Sequence, residues 1–215
     1  MDNKNDMLPS PRNEQDKPSI LFSRAQTIQL FQDMGDTLAQ QGQTAEIAVY
    51  GGSALMLMYD YRQATHDVDY IPIIGADDAL VHLANQCLMK QGITTPDRIL
   101  RSDVALFASD YAQYVSYRDF PDDVQKSGGL RVMLASPNYL LAMKILSMRN
   151  PAYSHDCRDI WELLDLCSVK NMDEAKNVVT QFYPRKIIPF RHEMILKDIF
   201  AYKQEGKPYS GTVGW

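Results

Sequence analysis

The chain has 215 residues, 45% hydrophobic and 23% charged, with a net charge of −5. That length allows one large domain or a core with an appendage, and the composition is that of a soluble globular protein, with no apolar run near the roughly 20 residues that span a bilayer. From Lys170 onward eight Lys or Arg face five Asp or Glu, so this stretch carries +3 and the first 169 residues carry −8. An acidic body argues against broad nonspecific DNA binding, yet leaves room for one anionic ligand or a short RNA near the basic end.

Residues 1–19 are polar and Pro-containing, without the apolar core of a signal peptide, and read as a disordered leader. Cys87, Cys157 and Cys167 are odd in number and lack metal-ligand spacing, which fits reduced thiols in a cytoplasm. Ile28, Leu30, Phe31, Met34 and Leu38 predict a first helix, stopped by Gly42. "AEIAVYGG" (45–52) predicts a buried strand entering a tight turn, and "SALMLMYDYR" a helix with Ser53 as its N-cap. "HDVDYIPII" (66–74) predicts a strand with Asp67 and Asp69 on one face. A helix closed by Gly92 follows, then another expected over "DRILRSDVALFASDYAQYV" (97–115); Tyr111, Tyr114 and, just beyond it, Tyr117 recur every third residue. "GGLRVMLAS" (128–136) predicts a strand. "SPNYLLAMKILSMR" (136–149) predicts a helix with Ser136 as cap, Pro137 at the first position and Leu140, Leu141, Ile145 and Met148 on its buried side. Further helices are expected over 155–169 and in two segments up to about Lys203. The whole predicts an α+β fold: a small mixed sheet with flanking helices over residues 20–135, then a helical C-terminal part over 136–215.

Two short motifs stand out. Asp67 and Asp69, at i and i+2 of a strand, sit about 6.6 Å apart at Cα and repel unless solvated, protonated or bound to a cation. One reading is an exposed polar face on an edge strand. The other is a site for Mg²⁺ or Mn²⁺, which take one or two carboxylates and complete their shell with water and phosphate oxygens. Gly51, Gly52 and Ser53 form either a plain tight turn or a phosphate cradle, in which glycine admits close backbone approach and a helix N-terminus supplies free N–H groups. Taken together, the motifs describe a triphosphate held between backbone amides and a metal-bearing strand, with one helix and a turn between them.

"GGS", a short helix and then "THDVD" resemble the signature of the polymerase-beta-like nucleotidyltransferase superfamily. The fuller stretch "YGGSALMLMYDYRQATHDVDYI" is most similar to its bacterial branch of AbiEii-type toxins. The resemblance covers residues 45–166. It implies transfer of a nucleotidyl group from an NTP to a hydroxyl of RNA (a tRNA end among them) or of a protein, with Mg²⁺, in the cytoplasm and with an antitoxin partner. Gly52 and Ser53 would hold the phosphates, beside Gly51 of the same turn, and Asp67 and Asp69 the metals. The branch also presents a lysine and an arginine on a later helix and then a K-D-x-x-D-[IL] segment, matched here by Lys144 and Arg149 and by Asp156 and Asp159, with His155 in place of the basic residue. Lys144 would lie either at the triphosphate or in solvent. Asp156 would be an extra carboxylate or base, or else, with Asp159, an acid favoured by the helix start. Arg62 is expected to anchor the D-x-D strand by an ion pair, and no zinc spacing involves His66 or His155. One departure concerns the third metal carboxylate that the superfamily carries on a later strand, since "LRVMLAS" has Arg131 and no acid.

Overall fold

The computed structural model describes residues 21–58, 62–93, 99–149 and 155–207. The leader expected over 1–19 and the final eight residues lie outside them. The fold is α+β, as the sequence predicts. Five strands form a mixed sheet in the order β5-β4-β2-β7-β6, with β2 (Thr44–Val49) at its centre. β4 (Val68–Ile74) runs antiparallel to β2, and β7 (Gly129–Ala135) runs parallel to it. β6 (Tyr114–Phe120) and the two-residue β5 (Leu100–Arg101) form the edges. A separate antiparallel ribbon pairs β1 (Phe22–Ser23) with β3 (Ala64–Thr65).

α1 (Arg24–Gln40) opens with a capping box between Ser23 and Gln26, which satisfies two orphan backbone donors. Its apolar stripe, Leu30, Phe31, Met34 and Leu38, is buried. Gly35 lies so near the Phe120 backbone that any Cβ would collide with it. α3 (Asp77–Lys90) packs beside α1, and the one-turn α4 (Val124–Ser127) leads into β7. α5 (Pro137–Ser147) starts as predicted, with the Tyr139 N–H donating to Ser136 Oγ, and all four expected apolar residues are buried. α6 (Asp156–Leu166), α7 (Met172–Phe182) and α8 (Phe190–Gln204) complete the helical part.

One apolar cluster runs from Phe22 to Phe200, so the sheet and the C-terminal helices share a core. Aromatic rings bind the two together. Tyr50, at the end of β2, meets Tyr114 of β6 and Tyr139 of α5 edge-on at 6.0 and 5.9 Å, and Tyr139 meets Phe182 of α7 at 5.1 Å. Such pairs add about 0.5–1.5 kcal/mol each beyond their burial. They form a floor directly beneath the glycine turn.

Three expectations fail. The helix expected over 97–115 is instead β5, a 3-10 turn at Asp103–Phe107 and the start of β6. The tyrosine recurrence follows from a bulge between Ser116 and Arg118, which shifts the strand's alternation, while Tyr111 lies in an exposed turn. α2 (Gly51–Met58) begins at Gly51, so Ser53 lies inside it and is not its N-cap. β4 starts at Val68, leaving Asp67 one residue before the strand.

Candidate active site

β2 ends at Val49, and Tyr50 accepts the first intrahelical bond of α2 from the Ala54 N–H at 3.1 Å. The backbone turns here because Gly51 adopts a φ of +60°, a conformation side chains disfavour. In any helix the first N–H groups have no partner within it, and in α2 these belong to Gly51, Gly52 and Ser53. Arg24 donates from Nε and a terminal nitrogen to the Leu57 carbonyl at 3.3 and 3.2 Å, fastening the far end of this short helix.

The D-x-D segment is fastened to the turn at two points. The Tyr50 N–H donates to the Asp69 carbonyl at 2.8 Å, and Ser53 Oγ donates to the Asp67 carbonyl at 2.6 Å. Thr65 Oγ1 donates to that same carbonyl at 2.9 Å. Ser53 is buried, and its single hydroxyl proton thus serves the backbone joint, leaving its N–H as the donor free to face a ligand.

The carboxylate of Asp69 lies against Gly51: a Cβ on that glycine would strike Asp69 Oδ2. Glycine is required here twice over, for its φ and for the acid beside it. Among the described residues Asp69 has no ion pair. Burial and then the charge of Asp67 push its carboxyl above the usual range, while Lys144, Arg101 and Arg149 pull the other way. Asp67 pairs with Arg101 of β5 at 2.9 Å. Nothing local to Arg101 announces its part, because it depends on β5 lying alongside β4 with Asp69 opposite Arg101.

Lys144, Asp156 and Asp159 form a closed set of charges. Lys144 Nζ stands 2.8 Å from Asp156 Oδ1 and 2.8 Å from Asp159 Oδ2. Arg149 donates to Asp156 from its backbone N–H and from Nε, each at 3.0 Å. Burial alone would raise the Asp156 carboxyl, but the bonds from Arg149 and Lys144 outweigh it and hold the group well below the ordinary carboxylate range. Lys144 is therefore not solvent-facing, with its side chain 12% exposed. Arg62 does not pair with the D-x-D strand. It reaches Asp159 at 3.5 Å, and its guanidinium fills the space a Cβ on Gly52 would take.

These groups converge on a cleft of about 740 Å³. One half is polar, with Gly51, Asp69, Lys144, Arg149 and Asp156 on its wall. The other half is mostly apolar, bounded by the 3-10 turn, α5 and the α7–α8 link, where Phe107 and Ile187 are exposed and Lys186 adds a cation. Two bonds strap the mouth: Tyr183 Oη donates to the Phe107 carbonyl at 2.9 Å, and Ser109 Oγ donates to the Phe182 carbonyl. Of the sequence-based candidates, Gly51, Asp69, Lys144 and Asp156 line one space, Gly52 and Ser53 follow Gly51 in α2, and Asp67, bound to Arg101, is not among the residues that line it.

Asp67 and Asp69 are the residues suited to a hard divalent cation, whose preference is for one or two carboxylates. Among the described residues no group of three or more His, Cys, Asp or Glu is arranged to hold a metal. Among the described residues of the sheet no third acid shares the row of Asp69, for a topological reason. Extending the pairings of Val49 with Tyr70 and with Leu134 by one residue puts Ala135 in the row of Asp69. Glu46 and Asp119 lie toward the opposite end of the sheet, bound to Arg131 at 3.4 and 3.1 Å.

Among the described residues no helix is long and apolar enough to cross a membrane. No curated protein and no solved structure matches the chain. Residues 25–187 match a family model, a span that holds the glycine turn, both aspartate pairs and the strapped cleft. The chain belongs to the family described as nucleotidyltransferase of unknown function (DUF6036).

Proposed function

We propose that the chain transfers a nucleotidyl group from an NTP to a hydroxyl acceptor, with Mg²⁺ or Mn²⁺ held by Asp67 and Asp69. The observation that carries this reading is the Asp69 carboxylate packed against the side-chain-free Gly51, at the N-terminus of α2. A half-buried acid with no ion pair among the described residues, beside free N–H groups, repels anions until a cation joins it, which makes metal and polyphosphate mutually dependent ligands. When bound, the metal supplies charge neutralisation for the phosphates and lowers the acceptor hydroxyl's hold on its proton.

The chain's own residues bind and orient. The N–H groups of Gly51, Gly52 and Ser53 face the phosphates, and Arg149, 71% exposed at its side chain, offers a guanidinium from across the cleft. Lys144, committed to two aspartates, fixes the wall and adds positive charge without direct contact. The apolar half, with Phe107 and Ile187, takes the nucleobase by stacking, which every base permits. In the reaction the acceptor oxygen forms a bond to the α-phosphorus, the bond to the bridging oxygen breaks, pyrophosphate departs and the hydroxyl proton passes to solvent. An acceptor on RNA (a tRNA end among them) or protein, a toxin role with an antitoxin partner, and a cytoplasmic setting belong to this proposal through the likeness to AbiEii-type toxins alone.

The test is transfer of label from α-³²P-NTPs to cell extract with Mn²⁺. Asp69→Asn should lower it by at least about 100-fold, the scale of losing an electrostatic group at a phosphoryl centre. Equal transfer by wild type and variant would sink the proposal. A second reading, a nucleotide-binding module without catalysis, is favoured by the Arg101 bond to Asp67 and by Ala135 in the third acid's row. Calorimetry separates the two: a module binds NTP equally with or without metal, and with or without the Asp69 carboxylate.

A further inference from the structure

A second cavity, of about 540 Å³, opens between the β1–β3 ribbon and α6. It shares no lining residue with the first. From the ribbon side come Arg62, Gln63 and His66, and from α6 come His155 and Arg158. Each of the five carries N–H donors. His155, Arg158 and Glu162 are spaced along one face of the helix, as positions three and four apart must be.

The first 169 residues carry −8 overall, whereas this wall is balanced, with the two guanidiniums of Arg62 and Arg158 against the carboxylates of Asp159 and Glu162. Of the two acids on it, Asp159 is already satisfied by Lys144 at 2.8 Å and Arg62 at 3.5 Å, leaving Glu162. Arg158 has no ion pair among the described residues, although Glu162 stands one turn further along α6. An exposed guanidinium with no ion pair among the described residues, on the same cavity as a second one, is suited to phosphate oxygens, which it can grip in pairs.

We infer that this cavity binds a phosphate group, supplied either by a free small molecule or by the backbone of a single-stranded polynucleotide. The site is separate from the transfer centre and does not depend on the proposed reaction. The two meet at the Asp159 carboxylate, which Arg62 reaches from one side and Lys144 from the other, and at Gly52, against which the Arg62 guanidinium packs.

The test uses the full chain in EDTA, which silences metal-dependent binding in the first cleft. One arm follows the anisotropy of a fluorescein-labelled, eight-nucleotide single-stranded RNA. The other measures inorganic phosphate by calorimetry. The double variant His155→Ala/Arg158→Ala alters two exposed side chains, so its melting curve should match wild type, and Lys126→Ala, a distant lysine paired with Asp123, controls for lost charge. If the backbone of a strand is the source, the double variant weakens RNA binding by about tenfold, the scale of a lost charge-assisted bond, and its salt slope falls by about 0.7 per lost phosphate contact. Lys126→Ala leaves both unchanged. If RNA fails to bind but inorganic phosphate binds and is weakened by the double variant, the site stands with a small molecule as its source. Binding of neither probe, or equal binding by wild type and double variant, overturns the inference.

Discussion

Asp67 and Asp69 on the sheet and Asp156 and Asp159 on α6 are two pairs of the same residue at close spacing, and they have opposite surroundings. The α6 pair is buried and gripped by Lys144, with Arg149 and Arg62 adding further bonds. The sheet pair has one cation between its two acids, Arg101 on Asp67, and Asp69 has no ion pair among the described residues. A carboxylate whose charge is answered within the chain is part of the architecture. One whose charge is left for something outside the chain to answer is a ligand. The contrast supports the proposed binding role of Asp69, and Asp156 is bound within the chain by Lys144 and Arg149.

The strongest way to break this contrast is to remove the cation from the answered pair. Lys144→Met strips both α6 carboxylates of their shared partner and should cost about 3–5 kcal/mol, the penalty for stranding buried charge. At roughly 2–4 °C per kcal/mol for a chain this size, calorimetry would record a fall in melting midpoint of about 10 °C. Adding Asp159→Asn should recover part of it. A Lys144→Met protein that melts like wild type would show the set to be ornamental.

A smaller effect comes from acid. Asp156 ionises below the ordinary carboxylate value of 3.8, so the stability it gives is complete above that value and drains as pH falls below it. Melting midpoints taken from about pH 5 to about pH 2 should fall more steeply below about pH 4 for wild type than for Asp156→Asn. Parallel slopes would place the acid sensitivity elsewhere.

The smallest effect has the reverse sign and sharpens the comparison most. The Asp69 carboxyl is raised, so folding disfavours its charged form at neutral pH. Asp69→Asn removes that charge in nearly the same shape, and the metal-free melting midpoint should rise, whereas the same exchange at Asp159 lowers it. A fall at both positions would erase the distinction between the pairs.

What the sequence made legible was what local chemistry dictates. Ser136 and Pro137 mark the start of α5 by capping alone, and the periodicity of α1, α3 and the C-terminal helices is carried by their own apolar stripes. The glycine turn and D-x-D strand were readable because backbone conformation and charge repulsion are properties of a few adjacent residues. Residues 97–117 were not, since β5 is two residues long and exists only by pairing with Val68 and Asp69. The bulge in β6 made a strand look helical for the same reason, as its register answers to β7. Arg62 and Arg101 were beyond reach for a related cause: each finds its acid 97 or 34 positions away along the chain. The split of the cleft into charged and greasy halves needed the α7–α8 link, whose Ile187 carries no signal of its own.

The hydroxyls of Ser109 and Tyr183 tie the two lips of the cleft to each other through main-chain oxygens rather than through the groups that face inward. Gape and taste are thereby set by different atoms. Leu106, Phe107 and Ile187 can be exchanged for other shapes while the staples beside them keep the aperture unchanged, so a small randomised library at these three positions would retune which guest is accepted without reshaping the doorway.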